Sequence, residues 1–417
     1  MRTSDPLKRN IVLLMCVKVS GFLLPLVTLP FLARVLGPRE FGELSVAQSL
    51  ALLLSVLVEY GFLLSATREI ASSRDDDDRA AEIVREVNSA RLGLALTAGI
   101  LAIGAHFLLG NPPAWPLLLG AWLYAIAVSV SPSWYFQGTE RVPGFAEIDM
   151  GGKAISVTLV FLLVQTPDDG KWALIVLALG PLAATTMSVQ LMYRRVLARP
   201  LRLAAGMRGI RSGVSMFAFR AAISLYTLAN VLILSFYLPP TAVGFFAAAE
   251  RLVRGGAGLI GPVSQAMFPR IAYLVRVDIR AGALLVRRAL VVLASTSFLA
   301  AAFTSIFAKE VTRLFFGNGY EPAAELLRLL IWIAPLIAIG NVLGIQWMLS
   351  LKLDRPFNLA VIGAGAFNLI GAIIFASTMG TTGMAYVCVA TEAFVVVCLV
   401  WTLVASGKWP TTRESRG

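Results

Sequence analysis

Stretches of about 20 apolar residues recur along the whole chain, and the polar intervals between them are themselves no longer than about 20 residues. A helix of that length rises about 30 Å, the thickness of a bilayer's hydrocarbon core. No other feature limits the fold so severely. Of the 417 residues 58% are hydrophobic and only 14% charged, too little charge to cover a soluble domain of this size. The expectation is an all-α polytopic membrane protein with no soluble domain.

Apolar windows set against Gly, Pro and charged breakers give about twelve transmembrane helices, at 11–36, 41–65, 88–110, 115–137, 146–166, 171–193, 212–237, 241–266, 288–308, 322–350, 356–376 and 381–405. The net charge of +12 then acquires a location. With the N-terminus inside, the cytoplasmic segments hold about 25 of the 36 Lys and Arg. They are Arg2, Lys8 and Arg9; the basic residues from Arg68 to Arg91; Arg141; Arg194 to Arg211; Arg270 to Arg288; Lys352 and Arg355; and Lys408 to Arg416. The opposite face holds Arg39, Lys171, Lys309 and Arg313. This asymmetry puts both termini in the cytoplasm. The basic balance is a topology signal, and no nucleic-acid partner is expected. The polar start MRTSDPLKRN leads into an apolar run without a small-residue cleavage site, so no signal peptide is expected.

Cys16, Cys388 and Cys398 sit in apolar segments without CxxC or Cys/His spacing, and neither a disulfide framework, a metal site nor a cofactor is expected. The acidic run SSRDDDDRAAE (72–82) has carboxylates that suit hard cations, but no second ligand cluster accompanies it. It reads instead as a solvated helix start, where acids are favoured.

The chain also repeats. RVLGPREFGELSVAQSL from Arg34 and FYLPPTAVGFFAAAERL from Phe236 align at an offset of 202: Leu36 with Leu238, Pro38 with Pro240, Gly42 with Gly244, Ala47 with Ala249, Gln48 with Glu250. The same offset pairs Arg68 with Arg270 and Lys18 with Arg220. Six spans return the chain to the same side, so the copies run parallel. The expected architecture is two six-helix bundles, 1–205 and 206–417, around a central cavity, a plan suited to alternating access.

Seven basic residues remain inside the spans: Lys18, Arg34, Lys153, Arg220, Arg251, Arg254 and Arg328. Each costs about 2.5–3.5 kcal/mol at mid-membrane, so several are expected to face the cavity and not lipid. Arg34 and Arg328 lie close enough to an end to snorkel. Lys18 and Arg220 lie deeper, at matching places in the two halves. Arg251 and Arg254 share a helix face, with Glu250 beside them. The candidate substrate-binding set is therefore Lys18, Arg34, Lys153, Arg220, Arg251 and Arg254. Glu59 has no basic neighbour in sequence and, with Glu250, is a candidate for ion coupling. Such a cavity suits an anionic amphiphile whose tail stays in the bilayer. The aromatics Trp134, Tyr135, Phe136, Tyr226, Trp332 and Trp347 fit interface anchoring or stacking on sugar rings.

FLARVLGPREFG, LVEYGFLLSATREIA and FAAAERLVRG…GPVSQAMFPRIA resemble the bacterial polysaccharide (O-antigen type) flippases of the multidrug/oligosaccharidyl-lipid/polysaccharide exporter superfamily, in order and along nearly the whole chain. The resemblance implies movement of an undecaprenyl-pyrophosphate-linked oligosaccharide from the inner to the outer leaflet of the bacterial cytoplasmic membrane by a V-shaped pair of bundles. It also implies a polysaccharide polymerase and chain-length proteins as partners. The family's usual Pro and Tyr before the last turn are absent from FNLIGAIIFASTMGTTGMAYVCVATE. Two alternatives stand beside this. A cation or multidrug antiporter of the same superfamily would need a cavity of net negative character. An integral-membrane enzyme of polysaccharide assembly would need a catalytic loop or paired acids in the outer loops.

Overall fold

A computed structural model of the protein describes residues 6–73, 76–110, 112–258 and 260–410, with backbone only at 6–26 and at scattered positions within 212–226 and 262–266. Among the described residues the chain is helical and contains no strand. Its helices are α1 (Pro6–Glu59), α2 (Phe62–Ser72), α3 (Asp77–Leu108), α4 (Trp115–Ser129), α5 (Ser133–Gly138), α6 (Val142–Leu163), α7 (Gly170–Tyr193), α8 (Leu203–Leu228), α9 (Asn230–Ser235) and α10 (Pro240–Gly258). They continue as α11 (Ile260–Val277), α12 (Ile279–Ile306), α13 (Ala308–Phe316), α14 (Glu321–Leu330), α15 (Ile333–Gly340), a π-helical stretch at Asn341–Met348, and α16 (Asp354–Ala405). Among the described residues, seven helical stretches are long and apolar enough to cross a membrane.

The two longest helices are hairpins. α1 breaks at Gly37, where φ is 70°, and α16 breaks at Gly380, where φ is 61°. Both breaks fall where the charge and glycine pattern set turns. The acidic run behaves as a helix start: the Asp76 carboxylate accepts from the Arg79 N–H at 2.8 Å, and Asp77 and Asp78 occupy the first turn of α3.

Chain contacts divide the molecule into two units, Met1–Gly244 and Phe245–Gly417. That grouping follows packing, whereas the boundary at 205/206 follows the sequence repeat. In the first unit α4 packs between α1 and α7, α6 lies on α7 and α1, and α8 lies along α3 and α1. One core joins Phe62, Ile70, Ile83, Trp134, Phe136 and Met192. In the second, Ile271, Val286, Leu343, Trp347 and Leu399 form the core. The Trp347 indole N–H donates to the Lys408 carbonyl at 2.8 Å. Outward faces are apolar: Val291, Val292, Phe298, Leu299 and Phe303 of α12 are exposed, as a lipid-facing helix requires. The protein is a multi-pass membrane protein.

Within the first unit the α1 hairpin crosses the first turn of α10 at backbone contact. A Cβ built on Gly42 would overlap the Pro240 carbonyl and stand 3.0 Å from the Gly244 nitrogen. One built on Gly244 would overlap the Pro38 carbonyl and stand 3.2 Å from the Gly42 nitrogen. Positions that align in the repeat thus pack against each other reciprocally.

Two expectations are corrected. Arg91 is expected among the cytoplasmic basic residues, at the edge of a span that opens at residue 88. α3 instead begins 11 residues earlier, at Asp77, and Arg91 lies within it at 3% exposure. Trp134, Tyr135 and Phe136 are neither interface anchors nor sugar platforms. They are buried in the core of the first unit, and Trp347 is buried in that of the second. Tyr226 lies outside the described side chains.

Candidate functional site

α1 ends at Glu59, and the chain turns through Tyr60 and Gly61, both with positive φ (51° and 78°), before α2 begins. Glu59 therefore stands at the N-terminus of α2, where free N–H groups collect. Its carboxylate accepts from the Leu63 N–H at 2.8 Å and the Gly61 N–H at 3.3 Å. Its remaining partner comes from far along the chain: Arg220 Nη1 of α8 sits 3.0 Å from Glu59 Oε2, with the side chains 35% and 16% exposed. One helical turn earlier on α8, Phe217 stacks on Tyr60 with ring centroids 4.4 Å apart, fixing the register that aims Arg220 at the acid.

Glu59, Leu63 and Arg220 border a cavity of about 200 Å³ that also receives Arg91 from α3 and Ser55, Ser129, Ser131 and Ser133. Arg91 Nη1 donates to the carbonyls of Val130 and Ser131, at 3.1 and 3.2 Å, where α4 ends. Its guanidinium lies 5.8 Å from the centre of the Phe62 ring. The Ser129 hydroxyl donates to the Ser55 carbonyl at 2.9 Å. Among the described residues, two guanidinium groups and one carboxylate leave the lining with one positive charge in excess, so the chamber favours an anion.

The other expected residues fall elsewhere. In the second unit, Arg254 Nε lies 3.0 Å from Glu250 Oε1, a pair one turn apart on α10, and Glu250 is only 5% exposed. Arg251, half-buried, precedes Arg254 by three residues on the same helix. Lys153 pairs with Asp149 at 2.8 Å along α6. Arg34 is exposed. The side chain of Lys18 lies outside the described residues. Glu59 with Arg220 and Glu250 with Arg254 are thus brought into contact, one pair in each unit.

A third set of charges ties the polar end of α3 to α8. Arg208 Nε binds Glu86 at 2.9 Å and its Nη2 binds Glu82 at 2.6 Å. Arg199 bonds Asp78 and Glu82, and Arg79 lies 3.3 Å from Glu69. A depression of about 630 Å³ opens among Glu69, Arg79, Glu82, Glu86 and Arg208.

Residues 7–275 match the polysaccharide biosynthesis protein family. The chain belongs to that family. Its likeness to a protein of Escherichia coli K12, provisionally named an O-antigen transporter, runs at 30% identity over 403 residues, 95% of each chain. A Shigella dysenteriae protein with the same provisional name is 28% identical over 410 residues, covering 94% of this chain and 99% of its own. Solved structures similar in fold include the lipid II flippase MurJ in an inward closed conformation, with TM-score 0.70 and 13% identity over 94% of this chain and 87% of that one. An inward-facing multidrug transporter of the MATE family has TM-score 0.65 and 16% identity, over 95% and 99%. For this member of the polysaccharide biosynthesis family the last two likenesses establish that it shares the helical fold of those two structures.

Arg91 is the residue that sequence reasoning missed. The signal lay in SSRDDDDRAAE: once Asp76 is taken as a cap, α3 runs unbroken from Asp77 and carries Arg91 into the membrane.

Proposed function

We infer that the protein is a flippase that carries an undecaprenyl-pyrophosphate-linked oligosaccharide, an O-antigen or related surface-polysaccharide unit, from the inner to the outer leaflet of the bacterial cytoplasmic membrane. The observation that carries this reading is full-length relatedness to two proteins provisionally named O-antigen transporters. The intramembrane arginines support it, since an anionic pyrophosphate head needs fixed positive charge along its path. In this reading both termini are cytoplasmic, the halves 1–205 and 206–417 rock in alternating access, and Lys18, Arg34, Lys153, Arg220, Arg251 and Arg254 contact the pyrophosphate or its path. The glycan travels in the polar lumen while the lipid threads into the bilayer. A polysaccharide polymerase and chain-length proteins receive the product, and the protein itself performs no covalent chemistry. A cationic-drug antiporter would call for surplus acid, whereas the Glu59 cavity carries surplus base.

In a flippase-deficient strain, Lys18→Ala and Arg220→Ala, inserted at wild-type levels, are expected to lower surface-glycan export at least about tenfold, the effect of losing one charged hydrogen bond. The undecaprenyl-linked unit should accumulate in the inner leaflet. Full export by both variants would defeat the cationic-path reading.

Glu59, and in the second unit Glu250, carry the coupling ion in this proposal. Protonation of Glu59 would release Arg220. Flipping by Glu59→Gln in proteoliposomes should then lose its response to an imposed pH gradient. A response equal to wild type would remove Glu59 as the proton carrier.

A further inference from the structure

We propose that the serine-lined cavity of the first unit is an anion subsite that takes a diphosphate group through Arg91. Arg91 is 3% exposed, deep inside a membrane-embedded helix, yet its two hydrogen bonds go to neutral carbonyls and both leave from Nη1. Its Nε is buried without a partner among the described residues. The acid lining the cavity, Glu59, is bonded to Arg220 and to two backbone N–H groups. A guanidinium held in such surroundings is expensive to desolvate unless an anion completes it.

The carbonyls of Val130 and Ser131 do not complete it. They hold one edge of the guanidinium and so fix its plane, leaving the other edge for a ligand. A planar fork held in one orientation matches the paired oxygens of a phosphoryl group. Ser131 and Ser133 add hydroxyls, which donate to such oxygens as readily as they bind water. The volume of about 200 Å³ is several times the ~30 Å³ share of one water, room for a diphosphate and too little for a sugar chain.

Arg220 supplies the second guanidinium once Glu59 yields it. A diphosphate bridging Arg91 and Arg220 would therefore compete directly with the Glu59 carboxylate. Binding and release of the anion would switch Arg220 between two partners, and with it the register of α8 against α1 and α2. The diphosphate can arrive free in solution or borne on a lipid. The lipid-borne source rests on the flippase reading, while the subsite does not.

The test uses full-length protein in nanodiscs of zwitterionic phospholipid, titrated in one arm with inorganic pyrophosphate and in the other with undecaprenyl diphosphate. Arg91→Gln is expected to weaken binding about ten- to a hundredfold, the range for one charged hydrogen bond. Glu59→Gln, which frees Arg220, is expected to tighten it. Ser133→Asp places a second carboxylate in the cavity, so it should abolish binding and raise thermal stability by giving Arg91 a counterion besides Glu59, which reaches it only through space. That variant decides the matter if Arg91→Gln does not fold. Binding by Arg91→Gln and Ser133→Asp within twofold of wild type overturns the proposal. Binding of inorganic pyrophosphate without binding of the lipid keeps the subsite and overturns the lipid source. Binding of both ligands by a protein that flips no lipid-linked sugar would keep the subsite and overturn the flippase reading alone.

Discussion

Gly42→Ala and Gly244→Ala should each destabilise the protein by about 1–3 kcal/mol and strongly reduce export. The sign is what makes the result informative. In an ordinary membrane helix, replacing Gly by Ala gains roughly 1 kcal/mol of helix propensity. Here each new methyl would overlap a proline carbonyl of the opposing helix, at Pro240 for Gly42 and at Pro38 for Gly244. Backbone atoms cannot turn aside as a flexible side chain can, so the two helices must separate. Small residues at such crossings are how membrane helices approach when no hydrophobic drive pushes them together.

The reciprocity makes a second, sharper expectation. One separation of α1 from α10 relieves both overlaps, so the double variant should cost less than the sum of the singles, by about 0.5–3 kcal/mol. Chemical unfolding in mixed micelles measures all three. Additive losses would mean that the two glycines act in separate contacts. Stabilisation by either alanine would mean that the crossing is loose enough to absorb a methyl group.

The crossing also marks how far the residue pattern reaches. Pro38, Gly42, Pro240 and Gly244 were visible as an aligned quartet at a constant offset, and hydropathy delivered the helical membrane class and the turns at Gly37 and Gly380. That the quartet members touch one another was not visible, because an alignment records equivalence and not proximity. Spans failed where a polar helix start continues into an apolar body. The first turns of α3 carry Asp77, Asp78, Arg79 and Glu82, so an averaging window opens too late and leaves Arg91 at its edge, counted with the loop charges. The aromatic cluster at Trp134–Phe136 misled for the opposite reason. Residues at the end of an apolar run suit an interface and a core equally, and only the packing of α2 and α3 around them selects the core. Glu59 was recognisable as an acid without a local base, yet its partner lies 161 residues away, at Arg220.

Removing either member of the Glu59–Arg220 pair should destabilise the first unit by about 1.5–3 kcal/mol, the range for a charged hydrogen bond. The partial exposure of Arg220 keeps the loss below that of a fully buried pair. Replacing both by leucine strands no charge and should recover part of the stability, the loss of the Glu59 cap on α2 remaining, and should still abolish export. That combination separates a functional charge from a structural one. A Glu59→Leu/Arg220→Leu protein that exports normally would show the pair to be mere neutralisation. The charge-exchanged variant, Glu59→Arg with Arg220→Glu, tests the local architecture. An ordinary ion pair survives exchange, but Glu59 also accepts the Gly61 and Leu63 N–H groups that open α2. An arginine there has no acceptor to offer and sets a positive charge against the positive end of a helix. Exchange should therefore rescue neither stability nor export, whereas Glu59→Asp should retain part of both. Full rescue by exchange would mean that the α2 cap contributes nothing and that the pair alone holds α8 in register.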